Sequence, residues 1–393
     1  MNNAIETDPL FAPLRLKGTT LENRFVLPAM QRGLHDYRPS ARLAQRLEAH
    51  AAGGAAIVIS EGATPDHPAA YWQPTFAAIG DRTADDWRHV AHSVTNGRET
   101  VFLIQLWHPG SVRLVPDDVP NPHRDFPALS PSGLVQAGRV NGMAMTLNEI
   151  EETKAAYVRS ARIAQEAGAH GVEIHAAHGY LLDQFLWYET NTRKDEYGGP
   201  TLVDRARFPA EIVSSIRAAT GPDFIISFRF SQFKEVDYSA KIAQTPDELA
   251  PFIELIQAAG ADMFHVSTRR FDAPAWPEID ETRSTAAWVK QMTDRPVIAI
   301  GSVGLSKDWT SDLLNNKQPE LQIEADLERV RNGLRAGDFD FIGVGRTQIA
   351  NTDLVRRVRE QDLAGMRKFE KNVDLVDLNM VHEGQLVETE PRT

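Results

Sequence analysis

The sequence predicts a single α/β domain in which eight parallel strands close into a (β/α)8 TIM barrel. Short apolar runs alternate with helical patterns along the 393 residues, and that alternation is typical of parallel strands covered by helices. A doubly wound open sheet would show the same alternation, but eight strand–helix units favour closure into a barrel. The apolar runs are 25–27, 57–59, 101–106, 171–174, 224–230, 262–266, 296–300 and 339–344.

The helical pattern is clearest over 146–168. Thr146 and Glu149 have the spacing of a capping box, in which each side chain accepts a hydrogen bond from the backbone of the other. Alanines favour helix along the segment, and Gly168 can end it. The remaining helical patterns cover 41–52, 84–95, 202–219, 246–259, 285–292, 324–335 and 353–360.

Some segments lie outside the strand–helix repeat. Residues 10–23 are short and turn-rich, which predicts an N-terminal hairpin that plugs the bottom of the barrel. Residues 107–145, after the third run, are rich in Pro and Gly, and a loop of that length is usually a lid or a binding loop. A second long loop follows the fourth run. We therefore predict a barrel domain over 1–368 and a C-terminal tail over 369–393.

Charge and composition argue against several classes of protein. The formal net charge is −12, which disfavours a nucleic-acid partner because binding a phosphate backbone needs a basic surface. Residues 1–17 lack a secretory signal pattern, and no run approaches the roughly 18 apolar residues of a membrane span, so we expect a cytoplasmic protein. The absence of cysteine excludes disulfides, a catalytic thiol and a Cys-ligated iron–sulfur cluster. The oligomeric state, a homodimer included, stays open.

Glycine-rich turns follow the last two strand runs, at the end of the barrel where active sites lie. Gly301, Ser302 and Val303 follow the seventh run, and Gly345 and Arg346 follow the eighth. Backbone N–H groups of such turns bind phosphate, and an arginine adds a fork of donors. Either turn alone could be ordinary, but the occurrence of both favours a phosphate site. No Gly-x-Gly-x-x-Gly follows the first strand, so a Rossmann domain is not indicated.

The densest group of functional side chains, His175, His178 and Tyr180, follows the fourth run. All three could line one mouth of the barrel and form an active site. His175 and His178 could instead combine with His265 in a metal-dependent hydrolase, although the spacing differs from the His-Glu-x-x-His of zinc peptidases. The next segment, 191–199, contains an Arg–Asp pair that we interpret as structural, holding the long loop in place.

Longer motifs extend from this loop over most of the chain. The segment His175-Ala-Ala-His-Gly-Tyr-Leu-Leu-Asp-Gln-Phe-Leu186 precedes Asn191-x-Arg193-x-Asp195-x-Tyr197-Gly-Gly199 and Arg205. Shorter motifs are Leu10-Phe11-x-Pro13-Leu14, Asn23-Arg24, Pro28-x-Met30, Ser60-Glu61-Gly62, Gln105-Leu-Trp-His108-x-Gly110 and Gly343-x-Gly345-Arg346. Over about residues 10–362, these motifs resemble the Old Yellow Enzyme family of FMN-dependent ene-reductases. The lack of cysteine separates the chain from larger relatives that carry an iron–sulfur cluster.

The resemblance implies FMN contacts at the ends of several strands. The implied positions are Pro28, Ala29, Met30, Gln31, Gly62, Gln105, Arg229, Gly301, Ser302, Val303, Gly345 and Arg346. Among them Gln105 would bind the pyrimidine edge of the flavin, and Arg229 would stabilise the negative charge of the reduced flavin near N1. Gln31 departs from the family pattern, because many members have Thr or Cys there, so the redox potential is not implied.

The resemblance also implies a reaction. NADH or NADPH would reduce the flavin and leave, and an unsaturated carbonyl or nitro substrate (an enone, enal or nitroalkene) would then take a hydride at its β-carbon. His175 and His178 would bind the activating oxygen, and Tyr180 would protonate the α-carbon. Phe271 and Trp276 are expected to line the substrate pocket. The alternatives are a flavin dehydrogenase or demethylase that runs in the oxidative direction, a flavoprotein that binds phenols without efficient turnover, and the metal-dependent hydrolase.

Overall fold

A closed barrel of eight parallel strands organises the computed structural model, which describes residues 8–308 and 319–374. The strands are β1 (Phe25–Leu27), β2 (Ile57–Pro65), β3 (Val101–Leu106), β4 (Gly171–His178), β5 (Ile225–Lys234), β6 (Met263–Ser267), β7 (Val297–Ile300) and β8 (Phe341–Gly343). Each strand pairs with the next in parallel, and β8 pairs with β1 through Ile342 and Phe25. That last pairing closes the sheet and confirms the predicted barrel.

Helices cover the outside of the barrel. They are α1 (Ala41–Ala52), α2 (Ala84–Thr95), α3 (Leu147–Glu166), α4 (Arg207–Thr220), α5 (Pro246–Ala258), α6 (Thr285–Met292), α7 (Ile323–Ala336) and α8 (Leu354–Glu360). The capping box of α3 is present, because Thr146 accepts from the Glu149 backbone and Glu149 accepts from the Thr146 backbone. None of the helices in the described part of the chain has the length and apolar character needed to cross a membrane.

The predicted helix over 202–219 is broken into Leu202–Arg205 and α4. The break lies at Ala206, whose ψ is −2°. Pro209 has no N–H to bond the carbonyl of Arg205, so a continuous helix would lose a hydrogen bond there. The other helical predictions differ from the structure by no more than two residues at either end.

Three strands run four or more residues further than their apolar runs predicted. β2 reaches Pro65, β4 reaches His178 and β5 reaches Lys234. The extra residues include polar side chains, so a pattern based on hydrophobicity ends before the strand does. The apolar run therefore marks the part of each strand below the mouth of the barrel.

The N-terminal hairpin pairs Leu14–Leu16 with Thr19–Leu21. Leu16 and Leu21 are buried in one apolar cluster with residues inside the barrel. Those residues are Val26, Ile57, Ile59, Val101, Leu103, Ile225, Met263, Ile298 and Phe341. Because most of them lie at the starts of the strands, the hairpin covers the bottom of the barrel, as predicted.

Side chains inside the barrel change from apolar to polar along the strands. Alternate residues of a strand point to opposite faces, and Val172, Ile174 and Ala176 of β4 pack in the outer apolar cluster. The alternate positions therefore face the barrel axis. Read from bottom to mouth, these positions are Val101, Leu103 and Gln105 of β3; Gly171, Glu173 and His175 of β4; Ile225, Ser227 and Arg229 of β5; and Met263, His265 and Ser267 of β6.

The long loop after β3 is folded against the mouth of the barrel. Leu129–Ser130 pairs with Met143–Ala144, and Leu134–Gln136 pairs with Arg139–Val140. Arg113 holds the loop by donating to the carbonyls of Tyr71, His123 and Phe126, each at 2.6 Å.

The predicted tail over 369–393 lies mostly outside the described residues. Within them, Phe369 is buried with Leu305 and Ala350, and a short helix, Lys371–Asp374, follows.

Candidate active site

A bulge at the end of β4 brings His175 and His178 to the same side of the strand. In a regular strand, residues three positions apart point to opposite faces. The pairing with β5 shifts register between Ala176 and His178, and His178 has a φ of +66°. Histidine is among the few residues other than glycine that are enriched in this left-handed region. As a result the two imidazole rings lie 5.1 Å apart between centroids.

Tyr180 completes the group predicted from the sequence. It follows Gly179, whose φ of +87° turns the chain at the end of β4. The phenol ring lies 5.3 Å from the ring of His175 and 5.1 Å from that of Trp107, edge to face in both cases. The structure therefore brings His175, His178 and Tyr180 together.

His175 is a neutral hydrogen-bond donor. Its Nδ1 accepts from the backbone N–H of Ala177 at 3.3 Å, so the ring proton lies on Nε2. Burial lowers the pKa of His175 to about 3, and the charge of Arg229 adds to the effect. The imidazole is therefore uncharged throughout the neutral pH range.

His178 is also neutral, because burial and the neighbouring His175 lower its pKa well below the usual value. Its Nε2 lies 2.8 Å from Oγ of Ser267, which also accepts from Nη2 of Arg229 at 3.2 Å. A hydroxyl that accepts from a guanidinium retains its own proton to donate. We therefore assign Ser267 as the donor to Nε2, and the ring N–H of His178 is then at Nδ1.

Tyr180 remains a protonated acid. Its hydroxyl donates to Oε2 of Glu235 at 3.0 Å. Burial and the negative charge of Glu235 raise the pKa of Tyr180 well above its usual value. The phenol therefore carries its proton throughout the neutral pH range.

A buried ion pair fixes the turn that carries Tyr180. Lys234 of β5 donates to Oδ1 of Asp183 at 2.8 Å, and both side chains are fully buried. The other carboxylate oxygen of Asp183 accepts from the Gly179 backbone at 2.6 Å. Gln184 donates to the carbonyl of Gly179 at 2.7 Å. The backbone beside Tyr180 is thus bonded on both sides.

The segment 191–199 of the loop after β4 has a structural role in this fold. Arg193 forms a bidentate pair with Asp195 and donates to the carbonyls of Pro131 and Met145. The predicted structural Arg–Asp pair is confirmed, and it ties this loop to the loop after β3.

Glycine is required where the two loops meet. A Cβ on Gly110 would lie 2.2 Å from Oε1 of Gln184, and the φ of Gly110 is +63°. The close approach allows Gln184 to accept from the backbone N–H of Ser111 at 3.1 Å.

Below the histidines, a chain of buried polar groups crosses the barrel. Gln105 donates to Oε1 of Glu173 at 2.8 Å, while Oε2 of Glu173 lies 2.7 Å from Nδ1 of His265 and accepts from Ser227 at 3.1 Å. Burial alone would raise the pKa of Glu173, but His265, Arg229 and the hydrogen bonds lower it to about 2. Glu173 is therefore an ionised carboxylate inside the barrel.

Arg229 is a buried cation whose Nε has no hydrogen-bond partner within the described residues. Its Nη1 donates to the Ala29 carbonyl at 3.3 Å, which links the end of β5 to the segment after β1. Its hydrogen-bond partners are an uncharged carbonyl and a hydroxyl, and the ionised Glu173 nearby partly offsets its charge. Such a group suits a ligand that gains negative charge, as the pyrimidine edge of a flavin does on reduction.

The two glycine-rich turns, after β7 and β8, meet at the mouth of the barrel. Nη2 of Arg346 donates to Oγ of Ser302 at 3.2 Å. Gly301 has a φ of +152°, and a Cβ there would lie 2.7 Å from the backbone of Phe271 and of Thr268. Backbone amides and a guanidinium at one place form a donor set suited to a phosphate.

Other predicted cofactor positions lie around the same mouth. Gly62 pairs with Gln105 across β2 and β3, and a Cβ on Gly345 would lie 3.2 Å from Sδ of Met30. Gln31 donates its amide to the Thr75 carbonyl at 2.6 Å. Val303 is buried, and its carbonyl accepts from Thr347. Pro28 follows β1 directly. These positions, with Arg229 and the two turns, fit FMN.

Phe271 and Trp276 are not brought to this group. Phe271 is buried against Phe339, and Trp276 is fully buried against Trp288. The aromatic rings that contact the group are Trp107, against Tyr180, and Phe233, which stacks on His178 at 5.2 Å.

Sequence reasoning missed several residues of the site. They are Glu173, Ser227, Phe233, Glu235, His265 as a partner of Glu173, and Ser267 as a partner of His178. The alternation of β4, β5 and β6 was a usable signal for most of them, since they occupy the same face as His175 or Arg229. Phe233 and Glu235 lie beyond the apolar run of β5 and had no such signal.

The three histidines of the metal alternative have other partners or neighbours. His265 contacts Glu173, His178 contacts Ser267, and His175 accepts from the backbone. In residues 8–308 and 319–374, no group of three or more His, Cys, Asp or Glu side chains is arranged to hold a metal ion.

A groove of about 710 Å³ lies outside the barrel, on α4 and α5. Arg207 and Glu211 are among its lining residues, and no predicted site residue is. The groove is therefore separate from the candidate active-site residues at the mouth of the barrel.

Comparison with known proteins assigns the family. The model of the NADH:flavin oxidoreductase / NADH oxidase family matches residues 9–321. The chain is 29% identical to 12-oxophytodienoate reductase 7 of Oryza sativa, over 92% of this chain and 90% of that protein. It is 28% identical to enoate reductase 1 of Kluyveromyces lactis, over 90% and 88%. It is also 29% identical to an NADH oxidase of Thermoanaerobacter brockii, of which it spans only 52% of the length.

Solved structures share the fold. Old Yellow Enzyme from Pichia sp. AKU4542 superposes with a TM-score of 0.74 at 23% identity, over 94% of this chain and 93% of that one. Morphinone reductase in complex with tetrahydroNAD gives a TM-score of 0.73 at 24% identity, over 93% of each chain. The chain therefore belongs to the NADH:flavin oxidoreductase / NADH oxidase family, as an FMN-dependent oxidoreductase that uses a reduced nicotinamide cofactor.

Proposed function

We propose that the protein reduces carbon–carbon double bonds conjugated to a carbonyl or nitro group, with NADH or NADPH as the electron source. The observation that carries the proposal is the pair of neutral imidazoles, 5.1 Å apart, with the acid Tyr180 beside them. The names of two relatives, 12-oxophytodienoate reductase 7 and enoate reductase 1, support this substrate class.

FMN bound at this mouth would supply the redox chemistry, as an acceptor of hydride from the nicotinamide and a donor of hydride to the β-carbon of the substrate. Gly301 to Val303 with Gly345 and Arg346 would hold its phosphate. The segment Pro28 to Met30 and Gly62 would contact the ring. Gln105 would bind the pyrimidine edge, and Arg229 would balance the negative charge that reduction places there.

His175 and His178 act on the activating oxygen of the substrate. Negative charge grows on that oxygen as the β-carbon receives hydride, and neutral N–H groups placed in advance stabilise it without reorganisation. Removing one donor of this kind costs roughly 10²–10³-fold in rate. Because both rings are neutral over the working pH range, their donation should not titrate.

Tyr180 gives its proton to the α-carbon. A positioned acid contributes typically ~10²–10⁴-fold. The raised pKa of Tyr180 keeps the proton available, and the edge-to-face contact with Trp107 restricts the ring. An acid poised beside two oxygen-binding donors favours the reductive direction over the oxidative dehydrogenase or demethylase alternative.

The test separates the two half-reactions by anaerobic stopped-flow absorbance. Tyr180→Phe should leave reduction by NADH or NADPH within about twofold of the parent protein and should slow reoxidation by cyclohexenone ~10²-fold or more. Tyr188→Phe removes the same hydroxyl from an exposed ring and should change neither step. Equal loss in both half-reactions of Tyr180→Phe would remove the proton-donor role.

A further inference from the structure

Glu173 is a fully buried carboxylate that the proposed reaction does not use. Its Oε1 accepts a hydrogen bond from Gln105 at 2.8 Å. Its Oε2 accepts from Ser227 at 3.1 Å and lies 2.7 Å from Nδ1 of His265. A buried charge is costly even when it is hydrogen-bonded, and an apolar side chain would often fill such a space at no loss of stability. The carboxylate therefore points to a function.

The carboxylate determines which end of the Gln105 amide faces it. Glu173 and Gln105 lie opposite each other on β4 and β3. An ionised carboxylate only accepts hydrogen bonds, whereas an amide has one donating end and one accepting end. Nε2 of Gln105 must therefore face Glu173, and the carbonyl Oε1 must point away from it.

Oε1 of Gln105 lies beside a position that is proposed to contact the flavin ring. A Cβ on Gly62 would lie 3.3 Å from this oxygen. Within the described residues Oε1 accepts no hydrogen bond, so it is available to a ligand. The backbone of Gln105 is fixed as well, because its N–H donates to Oγ of Ser60 at 3.1 Å.

Resting on the proposed placement of Gln105 at the pyrimidine edge, we propose that Glu173 is a positioning residue for FMN. It holds the Gln105 amide so that Oε1 accepts a hydrogen bond from N3–H of the flavin. The pyrimidine edge of a flavin has this one donor, N3–H, between two carbonyl oxygens. An amide turned the other way would place its own N–H groups against N3–H, and neither donor would have an acceptor.

Ser227 and His265 orient Glu173 in turn. Both lie at Oε2, which leaves Oε1 for Gln105. Nε2 of His265 is buried and has no partner within the described residues, so a second ring proton there would have no acceptor. Burial also lowers the pKa of His265. The ring is therefore neutral, with its proton on Nδ1 directed at Glu173, and the negative charge stays on the carboxylate.

The charge of Glu173 also acts on Arg229, the proposed partner of the reduced flavin. Burial lowers the pKa of Arg229, and the negative charge of Glu173 opposes that effect. A carboxylate that offsets the guanidinium makes the site less favourable for a flavin that gains negative charge on reduction. Removal of the Glu173 charge should therefore raise the midpoint potential of bound FMN.

The informative variant is Glu173→Gln, which keeps the shape of the side chain and removes its charge. The one oxygen of the new amide would stay with Ser227 and His265, so its NH2 group would face Gln105. The Gln105 amide would then turn its oxygen to position 173 and its NH2 group to the flavin.

Three properties of the FMN-loaded Glu173→Gln protein should change. The N3–H proton of FMN labelled with 15N at N3 should move upfield in the NMR spectrum, because its hydrogen bond is lost. FMN affinity, measured from the fluorescence of flavin released on dilution, should fall roughly tenfold. The midpoint potential should rise. Glu254→Gln, an exposed change of the same charge on α5, should leave all three at the parent values.

A swapped pair separates orientation from a general loss of stability. Gln105→Glu combined with Glu173→Gln keeps the net charge. The amide at position 173 can donate to the carboxylate at position 105, whose other oxygen can accept from N3–H. The double variant should therefore return the N3–H signal towards the parent position, and this result also decides the matter if Glu173→Gln alone does not fold.

An N3–H signal that is unchanged in Glu173→Gln would overturn the positioning role. So would a swapped pair whose signal equals that of Gln105→Ala, in which the acceptor is absent. If Gln105→Ala itself leaves the signal of the parent protein unchanged, the proposed placement of Gln105 fails and this inference fails with it. None of these readouts uses an enone, so they are independent of the proposed substrate class.

Discussion

The bottom and the mouth of this barrel are built from the same strands, but their interior side chains are apolar at the bottom and polar at the mouth. At the bottom, interior positions such as Leu103 and Met263 join Leu16 and Leu21 of the hairpin in an apolar cluster. Two residues further along, the same faces carry Gln105 and His265, equally buried but polar. Apolar groups need only be removed from water, whereas buried polar groups need partners. Along the strand axis, apolar packing at the bottom is therefore separated from the candidate catalytic groups at the mouth.

The largest expected exception to this separation is the Asp183–Lys234 pair, which lies at the mouth of the barrel but stabilises the fold. Lys234→Met leaves Asp183 buried without its cation, and removing one partner of such a pair costs ~3–5 kcal/mol. Urea unfolding at pH 7 should show this loss in the free energy of unfolding. Lys194→Met, at an exposed position, is the matched control.

The same variant has a pH signature. Burial raises the pKa of Asp183 to about 6 even with Lys234 present, and loss of the cation raises it further. The cost of Lys234→Met should therefore shrink as pH falls to 5, because protonation removes the buried charge. A cost that is the same at pH 5 and pH 7 would contradict this electrostatic account.

At the bottom, Leu21→Ala should affect stability alone. A buried leucine truncated to alanine costs ~2–5 kcal/mol, and Leu21 is buried in the cluster with the strand starts. We expect this loss in urea unfolding, with both half-reaction rates within about twofold of the parent protein. Leu147→Ala, at a half-exposed side chain, should change stability little. A large change in reoxidation rate for Leu21→Ala would show that the two ends are not independent.

At the mouth, His175→Ala and His178→Ala should instead act mainly on the reaction rate. Each variant removes one neutral donor from the proposed oxygen site, and reoxidation by cyclohexenone should slow ~10²-fold. Binding of a phenol, followed by the perturbation of the flavin spectrum, should weaken in both. Unchanged phenol affinity in both variants would remove the histidines from the oxygen site.

The smallest expected effect is a loss of stability at acid pH. It involves one histidine at the mouth of the barrel, His175, and one outside the mouth, His50. Burial lowers the pKa of both His175 and His50 to about 3, against about 6.5 in the unfolded chain. Between these values the unfolded chain binds more protons, so the free energy of unfolding falls as pH falls from 6.5. Each histidine contributes up to ~1.4 kcal/mol per pH unit.

His50→Leu should reduce that slope without altering phenol binding, whereas His175→Asn should reduce the slope and weaken the binding. The measurement is urea unfolding at several pH values from 7.5 to 4.5. Slopes equal to that of the parent protein in both variants would show that the two histidines are not neutral in the folded state.

Most of the fold was predictable because the strand starts and the helices carry clear hydrophobic periods. The predicted bounds of α1, α2 and α6 match the structure. The strand ends were not predictable in the same way, because β4 and β5 continue through His175 and Arg229 into polar residues.

The candidate site could be predicted where a short motif contains several side chains able to take part in catalysis. His175, His178 and Tyr180 do meet, but no spacing rule reveals the bulge and the left-handed His178 that make them meet. Phe271 and Trp276 looked like pocket walls because they follow a strand, and their contacts with Phe339 and Trp288 instead make them core. Glu235 could be found only from its contact with Tyr180.

The most direct test of the proposed function is the absorbance spectrum of the FMN-loaded protein under anaerobic conditions. The account predicts that the flavin bands bleach when NADH or NADPH is added and return when cyclohexenone follows, with the saturated ketone as product. Bleaching that cyclohexenone and a nitroalkene both fail to reverse would contradict the account and favour the oxidative or phenol-binding alternatives.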